Sequence, residues 1–164
     1  MMRLRELLRV FITAVLGFCV PAYAHHSALL FETSTPIVVK GRIAEVKFAN
    51  PHSSIFIDVM DSNSQPVRWA VENSGTLAMT RQRGFDEKTL QAGDPIEVCG
   101  YAPKPSTAAA RGGTGSDTRR PAPAWWEGAS RVITGRLLIL KNGPAEHWSH
   151  YGPLDACQSL LGSK

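Results

Sequence analysis

Five short segments with alternating apolar and polar residues constrain the fold of this chain more than any other feature of the sequence. They lie at 37–48, 53–60, 67–72, 96–101 and 131–140. Alternation with a period of two residues is typical of β-strands that bury one face. Turn residues such as Asn50-Pro51 and the run 61–64 separate the segments, as they do between neighbouring strands. The pattern therefore predicts an all-β domain.

One helical pattern falls between the third and the fourth strand. Ser74 suits the N-cap of a helix over 75–83, and Gly84 suits its end, because serine caps and glycine ends helices well. This order of elements is that of a small OB-type barrel. We predict a five-stranded, OB-like antiparallel barrel with one short helix over residues 25–141; an open antiparallel sheet or a sandwich is the alternative.

Three local features complete the predicted architecture. The alternation of the first strand slips near Gly41 and Ala44, which predicts a β-bulge there. The segment 102–124 is rich in Pro, Gly, Ala, Ser and Thr, which is typical of a flexible loop. Residues 142–164 form an aromatic, histidine-bearing C-terminal tail.

The first 24 residues have the features of a cleaved export signal. Three arginines precede the uncharged run 10–20, and Ala22-Tyr23-Ala24 gives the small-x-small pattern before a cleavage site. The run is too short to span a bilayer, which takes about 20 residues. We expect a periplasmic or secreted protein with no transmembrane segment after cleavage.

Charge and motifs argue against two function classes. Cleavage would lower the formal net charge from +4 to +2, so we expect no nucleic-acid partner. The chain carries neither a G-x-S-x-G nucleophile motif nor a phosphate-binding P-loop. No catalytic residues are predicted, and a binding protein is favoured over an enzyme.

Cleavage would leave two cysteines, Cys99 and Cys157. An even pair in an oxidising compartment predicts a disulfide, which would tie the tail to the barrel.

Three histidines indicate a metal site. After cleavage His25 would be the N-terminal residue, so its α-amine and its imidazole could chelate one ion; His26 follows it, and His52 follows the Asn-Pro turn. Imidazole suits copper, zinc and nickel, and the affinity order favours copper. We predict a copper ion, with nickel or zinc as alternatives. In the competing interpretation, His25 and His26 belong to an exposed terminus, and His52 is solvated or caps a backbone carbonyl.

Other residues could extend this site. His147 and His150 have the spacing of a second pair of metal ligands, although the tail could instead pack its tryptophan on the barrel. Glu32 and Glu72 could accept a hydrogen bond from a metal-bound histidine.

A different class of function is also open. Trp125 and Trp126, among prolines, would suit an exposed apolar contact. The barrel would then be a non-metal interaction module with a protein, glycan or lipid partner. Alternatively, both tryptophans cover the open end of the barrel.

Several motifs together resemble a family of small exported bacterial proteins of unknown function, the DUF6152 type. The similarity covers about 24–101 and rests on Ala24-His25-His26-Ser27, 39–46, Asn50-Pro51-His52, Trp69 with Glu72, 77–84 and 93–98. It implies a periplasmic, OB-like β-barrel with no assigned activity. His25 with a second histidine also resembles the histidine brace of exported copper proteins, an analogy of site and not of fold.

Overall fold

The computed structural model of the protein describes residues 31–104 and 126–162. The predicted export signal, His25, His26, Trp125 and most of the predicted loop 102–124 lie outside the described residues. The described elements, in chain order, are β1 (Ile37–Lys47), β2 (Ser54–Met60), β3 (Pro66–Glu72), α1 (Leu77–Gln82), β4 (Pro95–Tyr101), β5 (Arg131–Leu140), β6 (Ala145–His147) and α2 (Leu154–Gly162).

The five long strands close into a barrel. They follow the order β3-β2-β1-β4-β5, with antiparallel neighbours, and β3 also pairs with β5. That closing pair is parallel and runs from Trp69 opposite Arg131 to Glu72 opposite Thr134. The predicted all-β, five-stranded, OB-like barrel is confirmed, with mixed rather than wholly antiparallel pairing. The closing pair is parallel because five strands, an odd number, cannot close into a ring with every neighbouring pair antiparallel.

A bulge lets β1 serve two neighbours. Its first half pairs with β4 and its second half with β2, and the register with β2 shifts between Ile43 and Glu45. The shift makes Ala44 an extra residue, as the slipped alternation predicted. A bulge bends and twists a strand, which suits a strand that turns from one side of the barrel to the other.

Apolar side chains on the inward faces of the strands fill the barrel interior. Ile43, Ile55, Val71, Val98 and Ile133 are all buried there. Phe85 and Trp148 also belong to this cluster and meet edge-on, with ring centroids 5.2 Å apart. The alternation read from the sequence thus reflects burial on one face of each strand.

Helix α1 begins two residues later than predicted. Its N-cap is Thr76, whose side chain accepts the Met79 N–H, and not Ser74. The Gly75 N–H is already bonded to the Asn73 side chain at 2.7 Å, so a turn occupies the residues where the helix was expected. Neither helix in the two described ranges is long and apolar enough to cross a membrane.

The tail contains regular structure that was not predicted. Strand β6 pairs with β5, and α2 packs against β4 and β5. Cys99 and Cys157 form the predicted disulfide, with Cα atoms 5.6 Å apart. The tail is therefore joined to the barrel by backbone pairing, by apolar packing and by a covalent bond.

Candidate functional site

His52 is a buried histidine with a defined orientation. It lies just before β2, is 7% exposed, and its Nδ1 is 2.8 Å from the backbone carbonyl oxygen of Asn73. Because a carbonyl oxygen only accepts hydrogen bonds, Nδ1 carries the proton and the lone pair of the neutral ring is on Nε2. Metal-binding histidines commonly have this arrangement, with one nitrogen donating to a carbonyl group and the other binding the ion.

The loop that carries His52 is held by the end of β3 and the start of α1. The Asn73 N–H donates to the Ser53 carbonyl at 2.8 Å, which extends the β2–β3 pairing past the strand ends. The Asn50 side chain accepts the Leu77 N–H at 3.1 Å. These bonds connect the predicted Asn-Pro turn to two neighbouring elements, so the position of His52 is set by backbone groups.

Glu72 places a carboxylate beside this histidine. The residue is 1% exposed, and its Oε1 is 4.0 Å from His52 Nδ1. Its Oε2 accepts a hydrogen bond from Trp126 Nε1 at 2.9 Å. At 4.0 Å the carboxylate is too far to accept the His52 proton, so the carbonyl of Asn73 takes the acceptor role that the sequence suggested for Glu72. The carboxyl group nevertheless lies next to the ring.

Glu32, the other suggested acceptor, is occupied within its own turn. Its carboxylate accepts the Ser34 hydroxyl at 2.7 Å and the Ser34 N–H at 3.2 Å. These two bonds lower the pKa of Glu32. The role suggested for Glu32 beside a metal-bound histidine therefore gains no support from this geometry and stays a prediction.

Trp126 is buried rather than displayed. It is 3% exposed and packs with Phe56, Ala70 and Val132. Phe56 and Ala70 alternate with the interior residues of β2 and β3, so this cluster lies on the opposite face of those strands. For Trp126 the packing interpretation replaces the suggested exposed contact.

The two tail histidines face arginines. Arg136 Nη1 is 3.3 Å from His147 Nδ1, and the Arg83 guanidinium contacts His150 Nε2. Burial lowers the pKa of His150, and the cations Arg83 and Arg136 lower it further. Positive surroundings oppose a metal ion at this position, although the suggested second metal site itself stays a prediction.

A complete metal centre is not present in the described ranges. No group of three or more His, Cys, Asp or Glu side chains within 31–104 and 126–162 is arranged to hold an ion. Of the three histidines proposed as ligands, the structure places only His52. A site there needs further ligands from outside the described residues.

Asn73 is a residue of this site that the sequence analysis missed. It is fully buried, and its side-chain amide donates to the Trp148 carbonyl at 2.7 Å and to Thr80 Oγ1 at 3.2 Å. Its own carbonyl orients His52. An asparagine directly after a strand is a turn signal, but its partner in the tail could not be read from the sequence.

A family model described as a family of unknown function, DUF6152, matches residues 14–114. Comparison with curated proteins gives no match. The matched range includes His25, His26, His52 and Glu72, but neither β5 nor the tail histidines. Because the match covers more than half of the chain, this protein belongs to the DUF6152 family.

Proposed function

We propose that this is an exported protein that binds one copper ion without catalytic turnover. In its mature form His25 supplies the α-amine and an imidazole nitrogen, and His52 supplies Nε2. His26 is the alternative second imidazole, and nickel or zinc are the alternative ions. Nitrogen ligands of this kind bind copper(II) most strongly among the divalent metals of the first transition row.

The observation that carries this proposal is the hydrogen bond from His52 Nδ1 to the Asn73 carbonyl. It fixes the tautomer, so the lone pair is on Nε2 before any ion arrives. It also restrains the ring, which reduces the entropy that a ligand loses on binding. A histidine that only caps a backbone carbonyl makes the same bond, so metal titration, and not this geometry, separates the two interpretations.

The carboxyl group of Glu72 supports the same proposal. It is buried, and its Oε1 lies 4.0 Å from His52 Nδ1. Water and salt screen a buried charge less than an exposed one. An ionised Glu72 would therefore attract a copper ion bound at His52.

The test is a copper(II) titration followed by electron paramagnetic resonance. It uses untagged protein that begins at His25 and a variant with one extra residue before His25. The expected result is one equivalent of a nitrogen-ligated signal that the extra residue abolishes. The extension leaves the barrel untouched, so its effect cannot come from misfolding.

His52→Ala tests the barrel ligand, with Gln158→Ala at an exposed position of α2 as the control. We expect His52→Ala to weaken copper binding at least tenfold and Gln158→Ala to leave it unchanged; circular dichroism shows whether each variant is folded. A signal indifferent to both the extension and a folded His52→Ala would overturn the proposal. The non-metal interaction module, with a protein, glycan or lipid partner, would then replace it.

A further inference from the structure

Two arginines and two histidines form a second cluster of charged and titratable side chains, away from the proposed copper site. Arg83 directly follows α1, Arg136 lies within β5, and His147 and His150 belong to the tail. We refer to these four residues as the arginine–histidine cluster.

Both arginines are fixed by backbone carbonyl groups of the tail. Arg136 donates from Nε to the Gly152 carbonyl at 3.2 Å and from Nη1 to the Ser149 carbonyl. Arg83 donates from Nη1 to the Trp148 carbonyl at 2.8 Å. The two guanidinium groups are therefore held at neighbouring positions along one short stretch of chain.

Neither arginine of the cluster has a carboxylate partner in the described part of the chain. By contrast, Arg68 pairs with Asp58 and Arg81 pairs with Glu87. Arg136 is only 8% exposed. A buried cation without an anion is unfavourable, and the partly exposed Arg83 adds a second positive charge nearby.

The electrostatics of the cluster reflect this arrangement. Burial lowers the pKa of both Arg83 and Arg136, and the charge of Arg136 lowers the pKa of Arg83 further. Tyr101 faces Arg136 from β4, and its pKa is raised, mainly by burial. An anion placed between the guanidinium groups would relieve their mutual repulsion.

Each arginine also has a donor left for a ligand. Within residues 31–104 and 126–162, Arg83 Nε and Arg136 Nη2 make no hydrogen bond. The two donors come from separate elements, so a ligand that contacts both needs several oxygen atoms. Phosphate-type oxyanions meet this requirement and form strong, charge-assisted bonds with guanidinium groups.

We propose that the arginine–histidine cluster binds a phosphate-type oxyanion. Arg83 and Arg136 hold its oxygen atoms, and His147 and His150 border the site at the surface. Its side chains differ from those proposed to bind copper, and the proposal does not rest on copper binding.

The test is a titration with inorganic phosphate at low ionic strength, followed by the NMR signals of Ser149, His150 and the arginine side chains. Low salt is needed because salt screens surface charges. We expect saturable shifts confined to the cluster. Arg83→Gln should weaken binding at least tenfold. Arg81→Gln removes an arginine of α1 that already pairs with Glu87. It should change the affinity for phosphate less than twofold.

A second variant, Arg136→Lys, changes the other arginine of the cluster. Lysine is chosen because a neutral side chain at the buried position of Arg136 could unfold the tail. It keeps the positive charge but loses the planar fork of donors, so we expect weaker binding in a folded protein. Equal losses in Arg83→Gln and Arg81→Gln would overturn the proposal, because they would reflect overall charge and not this site.

Vesicles distinguish a lipid headgroup from a free anion as the source of the phosphate. Binding to phosphatidylglycerol vesicles but not to phosphatidylcholine, lost in Arg83→Gln, would identify a headgroup. Saturable shifts with inorganic phosphate alone would identify a free oxyanion. No binding to the vesicles and no shift at about 20 mM phosphate would reject the site.

Discussion

The region around His52 and the arginine–histidine cluster contain the same titratable residue type in opposite electrostatic surroundings. His52 lies beside a backbone carbonyl and the Glu72 carboxylate, whereas His147 and His150 accept hydrogen bonds from arginines. The first arrangement favours a cation and the second an anion. The sequence suggested a metal in both places, from the Asn-Pro turn at His52 and from the spacing of His147 and His150. Neighbouring charges, and not residue type, therefore separate the two regions.

Hydrogen bonds of one buried residue, Asn73, also connect the two regions. The Asn73 carbonyl orients His52, and the Asn73 side chain donates to the Trp148 carbonyl, which also accepts from Arg83. One buried residue thus contacts both. The following predictions test how independent the regions are.

Removing the disulfide with Cys99→Ala and Cys157→Ala should have the largest effect. The bond joins residues 58 apart in sequence, and the chain-entropy model gives a loss of about 4 kcal/mol in the free energy of unfolding. Chemical denaturation measures the loss. Hydrogen exchange should show faster exchange in the tail while the amides around His52 stay protected; equal loss of protection in both regions would show that they form one cooperative unit.

Asn73→Ala should affect both regions. It removes the side-chain bonds of Asn73 to the Trp148 carbonyl, to Thr80 and to the Gly75 N–H, although Arg83 still donates to that carbonyl. The free energy of unfolding should fall by about 2 to 3 kcal/mol. Asn63→Ala, in the exposed turn between β2 and β3, is the control and should change little. If the NMR signals of only one histidine region shift in Asn73→Ala, the connection between them is refuted.

Glu72→Gln removes the carboxylate beside His52. The electrostatic surroundings of His52 should then be closer to those of the histidines in the arginine–histidine cluster. The amide oxygen of the new side chain can still accept from Trp126, so the fold should be kept. Because Glu72 acts only through its charge and not through a hydrogen bond to His52, we expect copper(II) affinity to fall by about two- to fivefold. Competition titration measures the affinity, and Glu45→Gln, at an exposed position of β1, is the control. Unchanged affinity would show that the carboxylate does not act on the ion.

The smallest expected effect is the contribution of His150 to the pH dependence of the free energy of unfolding. The folded-state pKa of His150 is lowered, first by burial and then by Arg83 and Arg136, so the unfolded chain binds the proton more readily. Stability should therefore fall as the pH drops below the ordinary histidine value of about 6.5. Denaturation midpoints at about pH 7.5 and about pH 5.5 measure the change. His150→Gln should reduce it, whereas Gln158→Asn should not.

The barrel could be predicted from the sequence because each strand buries one face, and this leaves a period-two pattern in the chain. The same pattern indicated the bulge at Ala44. Strand β6 has three residues, too few to show any period, so it was missed. The disulfide could be inferred from the number of cysteines, but the helix that carries Cys157 could not.

The candidate sites were predicted less completely. His52 was identified because a histidine after an Asn-Pro turn is a plausible ligand. Asn73 and Arg83 form hydrogen bonds with a tail carbonyl that is 75 and 65 residues away in sequence. Within the described ranges, Arg83 and Arg136 have no acidic partner. This is a property of the folded chain. No local pattern in the sequence could indicate it.

The short strand β6 has a consequence for self-association. Strand β5 pairs with β3 only from Arg131 to Thr134, and β6 covers the stretch from Leu137 to Ile139 on the same strand. An uncovered strand edge exposes backbone donors and acceptors that can pair with another chain. A truncated chain that ended before Ala145 would present such an edge, beside apolar side chains. The tail therefore also protects the barrel from aggregating with its own copies.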